Sequence, residues 1–418
     1  MGADIVKVFS LNAMATLVRM LTGMISVKVV AVIIGPVGIA LLGQLNNFNT
    51  ILLGIANGGI GSGVTKYVAE YKENDSYIKK ILSNALRITV TCTLVISLVM
   101  ILGCVYLSRW ILMSDEYYYV FIVFGFTIIL YTLNSLLITI LNGYKHFKKY
   151  VKVNILGTVL GLLYSIALVT TFGLSGALIN AVTFQSVVFF ITLYMCRKEY
   201  WLKWEFFREK FDKCIVQKYL GYSAMTITAL ALLPVSQLLL RGYVISEISA
   251  SEAGIWEGMN RISSMYLSII TTAFSIYYLP RLSEIQDNRE LHSEVLRCYK
   301  FIIPMLLMIG SIIFLLRHFI LWLLFTPSFY AMENLFIWQL MGDFFKISSW
   351  LLAYIMVAKA QTKLFITNEI IFGLSYLFLC YIFMRWNGII GLVQGYLCNY
   401  IIYLFYMMFL FRNVIVVK

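Results

Sequence analysis

Long apolar runs, separated by short polar connections, set the pattern of this chain. The runs last about 20 residues or more and lack the period of two that barrel strands show. Twelve can be marked, over 6–34, 38–68, 82–107, 118–143, 153–172, 176–196, 219–246, 253–281, 299–325, 333–358, 364–385 and 388–411. Each is long enough to cross a hydrocarbon layer about 30 Å thick as a helix rising about 1.5 Å per residue. The pattern predicts an all-α integral membrane protein.

Composition agrees. The 418 residues are 61% hydrophobic and 13% charged, whereas a soluble domain is about a quarter charged and under half apolar. The net charge of +13 would suggest nucleic acid in a soluble protein. Here its distribution gives another reading, because alternate connections carry nearly all of it. One set holds Lys66, Lys72, Lys79 and Lys80, then Lys145, Lys148, Lys149 and Lys152, then Arg197 to Lys218. That set continues with Arg281, Arg289, Arg297 and Lys300, and ends on Lys359 and Lys363. The opposite connections hold Arg109 and almost nothing else basic. The basic side is the cytoplasmic one, so both termini are expected there. No nucleic-acid partner is expected.

Several chemistries drop out. The seven cysteines form no C-x-x-C pair, and the three histidines are far apart, so no metal site is expected. No phosphate-cradling glycine loop followed by Lys-Ser or Lys-Thr occurs, which argues against ATP hydrolysis. The outward connections are too short to carry a catalytic centre, so a transporter without cofactors is expected rather than a membrane polymerase or ligase.

The halves repeat. Asn12-Ala13-Met14 matches Ser223-Ala224-Met225, Val37-Gly38-Ile39 matches Ala253-Gly254-Ile255, and Lys66-Tyr67 matches Arg281-Leu282. The offsets stay within 211–216 residues, as in a tandem duplication. Each half has an even number of spans, which predicts two six-helix lobes related by a pseudo-two-fold axis along the membrane normal. The expected division is an N-lobe (1–198), a cytoplasmic linker (199–218) and a C-lobe (219–418). The linker alternates charges with Trp201, Trp204, Phe206, Phe207 and Phe211, which suits either a surface amphipathic helix or a tether between bundles.

Charges at membrane depth cost roughly 2.5–3.5 kcal/mol each and mark function. In the first hairpin these are Arg19 and Lys28, with Lys66 at its inner end, and no carboxylate lies between Asp4 and Glu70. Lys28 and its repeat counterpart Arg241 either snorkel to the headgroups or flank a cavity. Arg19 sits near the middle of its span. Nine residues separate it from Lys28, about 900° of rotation, so on a straight helix they face opposite ways unless Gly23 permits a bend. Glu257 and Arg261, spaced i,i+4, and Asp343 and Lys346, spaced i,i+3, can each pair on one helix face. Asp343 and Glu369 are the candidates for ion coupling. Gln44, Asn46 and Asn47 are too polar for lipid and suggest a wet cavity lining. Pro234 should bend its helix.

Five segments carry a family resemblance: Gly61–Tyr71 (GSGVTKYVAEY), Ala253–Gly258 (AGIWEG), Ala273–Leu282 (AFSIYYLPRL), Trp338–Asp343 (WQLMGD) and Ala358–Ala360 (AKA). Over essentially its whole length the chain resembles the Wzx-type O-antigen flippases. These form the polysaccharide-transporter branch of the multidrug/oligosaccharidyl-lipid/polysaccharide (MOP) superfamily, and the sequence is especially similar to the enterobacterial common antigen branch. The resemblance implies two six-helix lobes around a cationic cavity, in a monomer of the bacterial inner membrane. It implies alternating-access transport of an undecaprenyl-pyrophosphate-linked oligosaccharide from the inner to the outer leaflet, for O-antigen and lipopolysaccharide biosynthesis. It further implies membrane lipids, an O-antigen polymerase and a chain-length regulator as partners. By the same resemblance, Arg19, Lys28, Lys66, Arg241 and Arg261 match the basic residues set around the pyrophosphate. The rival from the same superfamily is a MATE-like cation or drug antiporter, against which the missing N-lobe carboxylate counts.

Overall fold

The computed structural model describes residues 2–359 and 361–415. Ala360, which ends the Ala358–Ala360 segment, lies outside the described residues. So do the side chains of Asp4, Asn12, Ala13, Ala224, Met225, Ala273, Ser275 and Ile276.

Among the described residues, eight helices are long and apolar enough to cross a membrane. Three of them break once. Gly2–Ala56 breaks at Gly35 (φ 63°, ψ −168°) into α1 (2–34) and α2 (36–56). Phe147–Cys196 breaks at Gly173 into α5 (147–172) and α6 (174–196), and Thr362–Leu410 breaks at Gly388 into α11 (362–386) and α12 (389–410). Whole helices supply α3 (Asp75–Leu102), α4 (Tyr118–Gly143), α7 (Lys213–Glu247), α9 (Asn288–Leu315) and α10 (Phe336–Ala358). A further long helix, α8 (Ala250–Ala273), carries Glu252, Glu257 and Arg261 and is more polar than those eight.

Two hairpins are built alike. Gly173 (φ 56°, ψ −129°) and Gly388 (φ 56°, ψ −136°) take the same left-handed turn 215 residues apart, inside the range of the sequence repeat. Three residues on, a Cβ at Gly176 would lie 1.9 Å from the Leu168 carbonyl oxygen, and one at Gly391 1.9 Å from that of Phe383. Only glycine lets the returning helix approach so closely. Shorter elements repeat as well. Gly103 divides α3 from Cys104–Ile111, and Leu316 divides α9 from Arg317–Leu324. The apolar runs 82–107 and 299–325 are therefore each a span followed by a short helix.

The run 38–68 is not continuous either. It unwinds at Asn57–Ile60, where Gly58 and Gly59 both have positive φ, and resumes as Gly61–Tyr71. A Cβ on Gly59 would meet the backbone of Ser223 at 2.9–3.0 Å.

The chain forms two compact units: Met1–Ile34 with Leu41–Val235, and Gly35–Ala40 with Ser236–Lys418. The division falls inside α7, beside Pro234, which offers no N–H to the Leu230 carbonyl. The hairpin tip groups with the second unit because α8 packs on it, Gly254 facing the Pro36 carbonyl.

Of the stretch Arg197–Lys218, only the end that begins α7 at Lys213 is α-helical, and residues 197–212 form no surface helix. They make two 3₁₀ turns, Tyr200–Leu202 and Trp204–Phe207, laced onto α3. Ser83 Oγ donates to the Phe206 carbonyl at 3.2 Å, and Asn84 Oδ1 accepts from Asp212 N–H at 3.0 Å. Trp201 stacks on Tyr144 (5.8 Å, 11°) in the core of the first unit, whereas Trp204 and Phe211 stay exposed. The aromatics follow local docking pockets rather than a helical face.

Candidate functional site

In the first unit α1 stays helical through Gly23, so Arg19 and Lys28 do project differently. Arg19 shares one face with Thr22, Gly23 and Ser26, and these line a cavity of about 410 Å³ that excludes Lys28. Opposite them, α5 presents Asn154, Gly157, Thr158, Gly161 and Ser165, and α6 presents Asn180 and Gln185. The α5 residues recur every three or four positions, which is one helix face. The lining holds one cation and no carboxylate. Among the described residues no ion pair reaches the Arg19 guanidinium.

A second cavity, of about 480 Å³, lies at Lys66 and is lined by Ser62, Thr65, Thr139, Asn142 and Tyr150. Ile138 lines both cavities, so they are neighbours within the first unit. Lys66 Nζ lies 5.6 Å from the Tyr67 ring centroid. At the end of the same short helix, the Glu70 carboxylate holds the Tyr71 phenol above its usual pKa.

The α2 amides divide. Gln44 is fully buried, Asn49 Nδ2 donates to the Ala181 carbonyl at 3.3 Å, Asn47 is half-buried and Asn46 is exposed. None of them lines either cavity.

In the second unit Arg241, on α7, is fully buried and donates from Nη2 to Glu257 Oε2 of α8 at 2.5 Å. Arg261 Nε reaches Oε1 of the same carboxylate at 3.2 Å. The three charges sum to one positive, and the guanidinium also lies 5.4 Å from the Trp256 ring. Arg281, the repeat counterpart of Lys66, is enclosed by Glu290 at 2.7 Å, Glu284 at 3.8 Å and Glu294 at 3.9 Å.

Asp343 and Lys346 do not form the ion pair their spacing allows. The buried Asp343 carboxylate accepts instead from Ser263 (2.5 Å), Tyr396 (2.6 Å), Gln339 (3.2 Å) and the Tyr266 hydroxyl. Hydroxyls satisfy a buried carboxylate without the desolvation of a second ion. Lys346 lies over the rings of Trp350, Tyr396 and Tyr400, at 5.1–5.7 Å. Its ammonium is in electrostatic reach of both Asp343 and Glu369.

Residues 5–286 match the family described as Polysaccharide biosynthesis protein. The chain belongs to that family. Two relatives, each named Lipid III flippase, from Escherichia coli (strain K12) and Shigella flexneri, are 28% identical over 396 residues, covering 94% of this chain and 94% of each relative. Among solved structures, a multidrug resistance MATE family transporter of the MOP superfamily in its inward-facing conformation aligns with a TM-score of 0.72 at 15% identity. That match covers 96% of this chain and 98% of the transporter. A MOP superfamily transporter from Pyrococcus furiosus gives 0.58 at 15% identity, over 96% of both chains. The fold is thus the all-α membrane fold of the MOP superfamily, and the protein is a multi-pass membrane protein.

In this member of the polysaccharide biosynthesis family, the cation of the first cavity is legible in the sequence and the cavity walls are not. Asn154, Thr158, Ser165, Asn180 and Gln185 are uncharged and scattered through apolar runs, so none stands out by itself. The available signal was their helical spacing.

Proposed function

We propose that this protein is a flippase carrying an undecaprenyl-pyrophosphate-linked oligosaccharide, of the O-antigen or a related surface glycan, from the cytoplasmic to the periplasmic leaflet of the bacterial inner membrane. The basic connections support cytoplasmic termini. Relatives named Lipid III flippase align along almost the whole chain, which favours a lipid-linked substrate.

One observation carries the chemistry: the Arg19 cavity holds a cation, amides and hydroxyls, and no acid. An unpaired guanidinium in such a setting is stabilised by an anionic group, through charge-assisted hydrogen bonds. A cationic drug would need a carboxylate there. Alternating access delivers the headgroup outward while the polyprenyl tail stays in lipid. Outward movement of an anion across an inside-negative membrane releases about 2.3 kcal/mol per charge per 100 mV, and that supplies direction.

The test is reconstitution in liposomes with labelled undecaprenyl-pyrophosphate oligosaccharides, with and without an imposed potential. The expected result is protein-dependent movement between leaflets that speeds up with the potential, and no efflux of cationic dyes. Dye efflux without glycan movement would replace the flippase with an antiporter.

A further inference from the structure

The hydrogen-bonding atoms around Arg19 include acceptors that a pyrophosphate alone would not need. Gln185 Oε1 is occupied, accepting from Asn134 Nδ2 at 2.9 Å, so its amide N–H groups are left to donate. Asn154 is arranged the other way round. Its Nδ2 donates to the Tyr150 carbonyl of its own helix at 2.9 Å, which leaves Oδ1 as an acceptor. Asn180 Oδ1 is buried in the same wall, and no donor among the described residues reaches it. A buried carbonyl without a donor is costly, and the cost is removed when a ligand supplies an N–H or O–H.

A pyrophosphate offers acceptors only. Beside Asn154 Oδ1 and Asn180 Oδ1 it would place oxygen against oxygen. A sugar ring offers hydroxyls that both donate and accept, and amino sugars add an N–H. The cavity volume of about 410 Å³ falls within the range of small-ligand sites, about 300–1,000 Å³.

We propose that this cavity is a saccharide subsite of the transporter. A sugar ring of the lipid-linked glycan places its O–H or N–H groups on Asn154 Oδ1 and Asn180 Oδ1 and an acceptor on the Gln185 amide, and Arg19 takes the negative charge that the ring carries or adjoins. This deepens the flippase reading and rests on it. Asn154, Asn180 and Gln185 are then residues that select the glycan, because sites built to bond hydroxyls discriminate strongly against ligands lacking them.

The test measures binding of four probes to the purified full-length protein in detergent: undecaprenyl pyrophosphate, and the same lipid bearing glucose, N-acetylglucosamine or glucuronic acid. Wild type should bind at least one sugar-bearing probe ten or more times tighter than the bare lipid. In Asn154→Ala and Asn180→Ala that ratio should fall toward one, so that bare and glycosylated lipids become equivalent. Asn154→Ala guards against misfolding, since its amide bonds only to its own helix. A ratio of one for all three sugars in wild type would overturn the proposal, as would a ratio that both variants retain. Failure of wild type to bind any of the four would instead remove the flippase reading beneath it.

Discussion

Glu257 holds the Arg241 guanidinium at 2.5 Å, and the Arg241 side chain has no exposed surface. Removing one partner of a buried ion pair leaves an uncompensated charge, at a cost of about 3–5 kcal/mol. Glu257→Gln should therefore lower the thermal unfolding midpoint of the purified protein well below that of wild type. Replacing both, Arg241→Met with Glu257→Met, should recover part of that loss, the remainder being the Arg261 guanidinium that Glu257 also holds. A single variant as stable as wild type would show that Glu257 does not compensate Arg241.

Arg19 has the opposite character, being exposed to its cavity and without an ion pair among the described residues. Arg19→Ala should keep the unfolding midpoint near wild type and abolish flipping of the lipid-linked glycan in liposomes. Arg19→Lys should restore only part of the rate, because an ammonium lacks the two-pronged geometry of a guanidinium. Wild-type flipping by Arg19→Ala would remove the anion site.

The paired glycine turns give a packing test. A Cβ at Gly176 or Gly391 would stand 1.9 Å from a carbonyl oxygen, whereas one at Gly310 meets nothing within 4 Å. Gly176→Ala and Gly391→Ala should each sharply reduce the folded protein recovered from membranes, and Gly310→Ala should not. Size-exclusion profiles of the three variants, expressed side by side, measure this. Equal yields would mean that the hairpins can open without penalty.

Trp201 anchors the 199–212 segment within the first unit, stacked on Tyr144 and wholly buried. Trp201→Ala should cost about 3–5 kcal/mol, as large aromatic truncations do, and should expose 199–212 to protease. Trp204→Ala, at an exposed position, should change neither. Identical digestion patterns would contradict the docking.

The sequence showed most of the architecture and less of the site, for identifiable reasons. Hydropathy marks the spans because each must satisfy its own backbone in lipid. It does not mark the breaks at Gly58–Gly59, Gly103 and Leu316, because a span-length average passes over a few small or polar residues. A four-residue period places Glu257 beside Arg261, but Arg241 is 16 residues from Glu257 and joins it only when α7 meets α8. The Asp343 cage is invisible for the same reason, since Ser263 and Tyr266 come from α8 and Tyr396 from α12. Arg19 stood out as a charge in a greasy run. The neutral amides facing it carried no such contrast.

The fates of Lys66 and Arg281 differ, although they stand at equivalent places in the repeat. One lines an open cavity, and the other is enclosed by three carboxylates. A doubled chain holds two copies of every position, so one basic residue can settle among carboxylates while its sibling lines a cavity. The duplicated positions have thus diverged in their surroundings, and symmetry of sequence here is a poor guide to symmetry of environment.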